Sequence, residues 1–161
     1  MTEWWQIALT FGTALGCGLI AGVFFAFSAF VMTALVRLPA PQGIAAMQSI
    51  NVVAVTPLFM TALFGTAAAC VVLIVLAGLN AQQPAAGNVI VGTLSYLVGT
   101  VAVTIVCNVP QNERLAAVNP SSAEGARLWT DYVRSWTAWN HVRTIAALIA
   151  ATFITTAVWQ Q

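Results

Sequence analysis

Asparagine, tryptophan and one arginine crowd two short runs of this chain. Asn108-Val-Pro-Gln-Asn112 holds two amides around Pro110, and Trp136-Thr-Ala-Trp-Asn-His-Val-Arg-Thr144 brings Trp136, Trp139, Asn140, His141 and Arg143 close together. Ile50-Asn51 and Pro57-Leu-Phe59 come earlier. Indole rings offer flat apolar faces with one polar handle, while amides and a guanidinium offer directed hydrogen bonds. Gathered in one place, such residues make either a mixed aromatic and amide pocket or a hydrogen-bonded plug that holds helix ends together. Spacing alone leaves both open.

At helical spacing, Trp129, Tyr132, Trp136, Asn140 and Arg143 share one face, and Glu124, Arg127, Asp131, Arg134, Ala138 and His141 form a mostly charged stripe on another. Each member has a plainer reading. The rings of Trp129, Tyr132, Trp136 and Trp139 suit an aromatic belt at the membrane–water boundary. His141 suits the headgroup boundary, and Arg143 suits a phosphate contact or a helix-end salt bridge. The group gains interest because Asn140 and Arg143 stand at the mouth of an apolar run, where an unpaired polar group is costly. Asn51, Asn108 and Asn112 belong to other segment ends at the same depth, and Pro57 and Pro110 free backbone carbonyls for these amides or a ligand to satisfy.

The elements that must position these residues are membrane spans. Gln6–Val36, Val52–Leu79, Val89–Val106 and Val142–Trp159 each have the roughly 20 apolar residues needed to cross a hydrocarbon core. Hydrophobic residues make up 60% of the chain and charged residues 6%, which excludes a soluble fold at this length. The fold class expected is an all-α integral membrane four-helix bundle, one domain over residues 1–161, with interfacial helices at 42–50 and, before the fourth span, at 122–138. Ser121 or Ser122 caps the latter, with Glu124 in its first turn. The opening Met-Thr-Glu-Trp-Trp lacks the basic region of a signal peptide, so the first span is expected to be retained.

Every basic side chain is an arginine, and Arg37, Arg114, Arg127, Arg134 and Arg143 all lie in or beside the connections between spans one and two or three and four. The opposite ends and the 80–88 connection carry one side-chain charge, Glu3. By the positive-inside rule this predicts a multi-pass cell-membrane protein with both termini outside the cytoplasm. Gly12, Gly16, Gly18 and Gly22 form two interleaved GxxxG patterns, Gly92, Ser95 and Gly99 mark span three, and Ala146, Ala147, Ala150 and Ala151 mark span four. These small-residue faces predict close helix packing, within the chain or in a homo-oligomer.

Other chemistries find little support. Cys17, Cys70 and Cys107 have no metal or redox spacing and read as apolar packing residues. One histidine and four scattered acidic residues cannot build a metal centre. Haem through His141 is the one cofactor alternative, without an attachment motif. A net charge of +1 with no basic patch argues against nucleic acid, and no P-loop or dinucleotide fingerprint occurs.

The Asn-x-Pro-x-Asn and Trp-x-x-Trp-Asn-x-x-Arg patterns, in that order after Ile50-Asn51 and Pro57-Leu-Phe59, resemble the anthrone oxygenase-like family of small four-span membrane proteins, over nearly the whole chain. Much of that family is catalogued only as a domain of unknown function. The resemblance implies an oxygenase that turns an anthrone-like aromatic polyketide, or a similar hydrophobic aromatic molecule, into a quinone with molecular oxygen as co-substrate and no metal or flavin. Under it His141 removes the acidic methylene proton, and Arg143 with Asn140 stabilises the oxyanion. Trp136, Trp139 and Tyr132 stack on the polycycle, and Asn51, Asn108 and Asn112 orient its oxygens. The alternative is a non-catalytic membrane subunit, or a small carrier for an apolar compound, in which the cluster is structural.

Overall fold

The computed structural model describes residues 4–160, and all regular structure among them is helical. Four helices are long and apolar enough to cross a membrane: α1 (Trp4–Val36), α3 (Pro57–Leu79), α4 (Ala86–Ala116) and α5 (Ala123–Val158). A shorter helix, α2 (Ala40–Val53), joins the first two. Each long helix packs against the next, and α5 closes the ring by lying along α1. Most residues of each of these spans are not buried inside the protein. Phe11, Leu15, Leu19, Phe25, Val71, Val75, Ile145 and Leu148 instead face outward, as expected where lipid is the solvent.

Several boundaries differ from the sequence expectations for local reasons. The second span starts at Pro57, not residue 52, because proline forces Thr56 into an extended conformation (ψ 151°) and fits the first turn of a new helix. Residues 52 and 53 belong instead to α2, which is longer than the expected 42–50. The third span does not stop at residue 106. Its ladder widens into π-helical turns at Ser95–Ala102 and Thr104–Asn108, and Pro110 then opens the last α-helical segment, Val109–Ala116, where a missing N–H matters little. The separate interfacial helix expected at 122–138 is absent as such. Residues 139–141 contain no glycine or proline, so it runs on into the expected span 142–159 as α5, capped by the Ser122 hydroxyl, which accepts from Gly125 N at 2.9 Å.

The small residues on α4 and α5 meet each other. Gly92 lies against Ile154 and Ala150, and Gly99 against Ala146, with no room for a side chain at either. On α1 only Gly16 is used this way, against Thr66, while Gly12, Gly18 and Gly22 border open space. Two cores result. One fills the bundle with Cys17, Ile20, Leu63, Cys70, Leu73, Tyr96, Ala147 and Ile154. The other lies at the end where α2 packs on α1, α4 and α5, and contains Met32, Leu35, Ile44, Met47, Leu115, Trp129, Tyr132 and Trp136. A helix of 36 residues rises about 54 Å against a hydrocarbon core of about 30 Å, so α5 serves both cores. Glu3, the one charge expected at the opposite end, lies outside the described residues.

Candidate functional site

The two cores meet around Arg143. The residue is 4% exposed, and its guanidinium sits 4.2 Å from the Phe24 ring centroid and 5.1 Å from that of Trp136 and donates through Nη2 to Asn140 Oδ1 at 2.7 Å and through Nη1 to Thr104 Oγ1 at 3.3 Å. Both hydrogen-bond partners are neutral, and Nε has none among the described residues. Asn140 is fully buried and fixed from the other side, where its Nδ2 donates to the Phe24 carbonyl and to Ser28 Oγ, each at 2.7 Å. The amide therefore ties α5 to α1 and aims the guanidinium. Phe27–Val31 of α1, which includes Ser28, is π-helical, and so is the α4 segment that carries Thr104 and Asn108. Such widened turns concentrate at functional sites.

Asn112 organises the rings. Its Oδ1 accepts from Tyr132 Oη at 2.9 Å and from Trp136 Nε1 at 2.8 Å. Tyr132 stacks between Trp136 and Trp129, with centroid separations of 6.0 and 5.7 Å and interplanar angles of 22° and 14°. Phe27 tilts onto the other side of Trp136 at 5.7 Å. Asn108 Nδ2 donates to the Trp136 carbonyl at 3.2 Å, and its buried Oδ1 has no partner among the described residues. Gln48 binds α2 to the end of α4 by donating to the carbonyls of Leu115 and Val118.

A cavity of about 490 Å³ opens beside this arrangement, within the range of about 300–1,000 Å³ usual for small-molecule sites. Phe24, Phe27, Met47, Ile50, Phe59 and Leu63 give it apolar walls, and its polar groups come from Ser49, Asn51, Thr104, Asn112, Trp136 and Arg143. Asn51 Nδ2 is buried without a hydrogen bond among the described residues, as is Arg143 Nε. Two lining residues thus hold spare donors, which in a native protein call for an explanation. An acceptor-bearing ligand provides one.

The sequence candidates separate into three groups. Trp136, Arg143, Asn51 and Asn112 line the cavity. Asn140, Asn108 and Tyr132 stand behind it as supports rather than lining it. Trp139 and His141 are outside: Trp139 is 40% exposed, and His141 is exposed on a different cleft with Arg37 and Arg134. The pocket and the plug are therefore both present, as two adjacent layers. Among the described residues no group of three His, Cys, Asp or Glu side chains is placed to hold a metal ion, and His141, the one candidate for haem, does not face the cavity. Phe24, Phe27, Ser28 and Thr104 were not among the sequence candidates. Ser28 and Thr104 carried a signal, as hydroxyls inside apolar runs, whereas the two phenylalanines looked like any other lipid-span residues.

Residues 57–153, more than half of the chain, match a family model described as anthrone oxygenase. The matched stretch contains Phe59, Thr104, Asn112, Trp136, Asn140 and Arg143, while Phe24, Phe27 and Asn51 precede it. No curated protein and no solved structure matches the chain.

Proposed function

The chain belongs to the anthrone oxygenase family, and from that premise we propose that it is a membrane-embedded oxygenase converting an anthrone-like aromatic polyketide into the quinone with molecular oxygen. Arg143 carries the reading. A buried cation costs on the order of several kcal/mol unless it is compensated, and this one has neutral partners and borders a mostly apolar cavity whose other lining residues are uncharged. A ligand that becomes an anion on binding supplies the missing charge.

An anthrone does so. Its methylene lies between two aromatic rings and across from a carbonyl, so loss of one proton leaves an electron pair that spreads onto the carbonyl oxygen. Arg143 pairs with that oxygen, Phe27 and Trp136, in contact with each other, wall one side of the flat ring system, and Asn51 and Asn112 bind its other oxygens. The base role expected of His141 is withdrawn, because His141 does not line the cavity. Among the described lining residues none carries a carboxylate or imidazole. Arg143 instead makes the substrate more acidic, and water takes the proton. The carbanion bonds to oxygen to give a peroxide on the former methylene carbon. Loss of the second hydrogen as a proton, with O–O cleavage, yields the ketone and water. All the electrons come from the substrate carbon, so the reaction as written calls on no metal or flavin.

The helix-bracing bonds of Asn140 and Asn108 favour the second reading, a structural subunit or carrier. Purified protein incubated with emodin anthrone under air and under nitrogen separates the two. The oxygenase reading expects quinone formation above the spontaneous rate, in air only, and its loss in Arg143→Met. Equal rates with and without protein overturn it and leave the carrier.

A further inference from the structure

A second cleft, of about 560 Å³, lies between the last turns of α1 and the middle of α5 and shares no lining residue with the cavity. Arg37, Arg134 and His141 border it, and all three are exposed. Neither arginine forms an ion pair among the described residues, and Asp131, one turn before Arg134, does not line the cleft. Thr137 does line it, and its hydroxyl is sealed from solvent with no hydrogen bond. That is unusual on this helix, where Thr130, Thr144, Thr152 and Thr156 each donate to the carbonyl four residues back. Met32, Val36 and Val133 supply an apolar floor. The position is also defined. Arg37 directly follows the uncharged run Ile7–Val36, and His141 stands where α5 turns apolar, so the cleft sits at the edge of the hydrocarbon region.

We infer that this cleft binds the phosphate of an anionic phospholipid from the arginine-bearing leaflet. Guanidinium forks match phosphate geometry, and two of them above an apolar floor suit a headgroup whose acyl chain continues along the helices. Arg37 and Arg134 grip the phosphate, and the chain lies over Met32, Val36 and Val133. A freely diffusing phosphate has no use for that floor.

Native mass spectrometry of the protein released from mixed phosphatidylcholine and phosphatidylglycerol nanodiscs tests this. Phosphatidylglycerol should stay bound in preference to phosphatidylcholine, and the Arg37→Gln/Arg134→Gln variant should hold it about thirtyfold less tightly, from two arginine contacts. Both side chains are exposed, and each single substitution should give part of the loss should the double variant unfold. Arg127→Gln, on the same helix but outside the cleft, should leave retention unchanged. Equal retention of the two lipids overturns the assignment, as does a loss in Arg127→Gln equal to that in Arg134→Gln. In detergent, inorganic phosphate binding as tightly as the lipid overturns the lipid identification by making this a soluble-anion site.

Discussion

Arg143, Asn140 and Asn112 do different work around the same cavity, and substitutions should separate them. Arg143 holds a buried charge whose hydrogen-bond partners are neutral, so the desolvation cost that an apolar chain of the same length would relieve offsets the Asn140 Oδ1 acceptor it would leave unpaired. Arg143→Met should therefore leave the unfolding midpoint in detergent unchanged or raised, while turnover of an anthrone falls by about 10² to 10³, the usual loss for one oxyanion donor. A large fall in stability with turnover retained would make the arginine a brace. Asn140 is the opposite case, since its amide makes three buried hydrogen bonds that join α1, α5 and the guanidinium. Asn140→Ala should lose about 1–3 kcal/mol in denaturant titrations as well as activity, which makes it a poor discriminator between enzyme and plug. At Asn112 a single oxygen accepts from both Tyr132 and Trp136. Asn112→Leu strands two buried donors at about 1–3 kcal/mol each, whereas Asn112→Asp keeps the acceptor and should be much milder on the same titration.

At the level of elements, stability should track which glycines are covered. Gly99 touches Ala146 across the α4–α5 contact, so Gly99→Val must push the helices apart and should cost about 1–3 kcal/mol. Gly18 and Gly22 border open space, and Gly18→Val should stay within about 0.5 kcal/mol in the same detergent unfolding assay. A drop in particle mass on size exclusion in Gly18→Val would instead identify that face as a subunit contact. The same contrast explains what the sequence could reveal. Four spans and the convergence of Trp136, Arg143, Asn51 and Asn112 were legible, because hydropathy, helical spacing and proline positions depend on neighbours in the chain. Whether a GxxxG face turns inward is decided by partners far away in sequence, and Gly16 and Gly18 could not be told apart. His141 and Trp139 failed as pocket residues because α5 continues without a break, so the helical phase that puts His141 on the charged stripe holds through Arg143. The π-helical widenings, which set Ser28 and Thr104 within reach of Asn140 and Arg143, have no local signature comparable to proline or glycine.

Across the whole molecule, the arginines and the cavity share one end. Arg37, Arg114, Arg127 and Arg134 surround the second core, and the cavity opens among α2, its link to α3 and the adjoining turns of α1, α4 and α5. Val52, Val53, Val55 and Leu58, on that link and the helix ends it joins, are 63–84% exposed, an apolar lip beside the cavity mouth. An apolar substrate dissolved in the arginine-bearing leaflet would meet this lip before it met water, so orientation decides which cell compartment supplies the substrate. The positive-inside rule predicts this end at the cytoplasm, and labelling tests that expectation. Gln82 lies in the short α3–α4 turn and Ser121 just before α5, both exposed and at opposite ends of the bundle. Cys17 and Cys70 are fully buried, so in a Cys107→Ser background only an introduced thiol should react. With a membrane-impermeant maleimide, Gln82→Cys should label in intact cells and Ser121→Cys only after permeabilisation. The reverse pattern would turn the molecule over, move the cavity mouth to the outer leaflet, and require a substrate delivered from outside the cell.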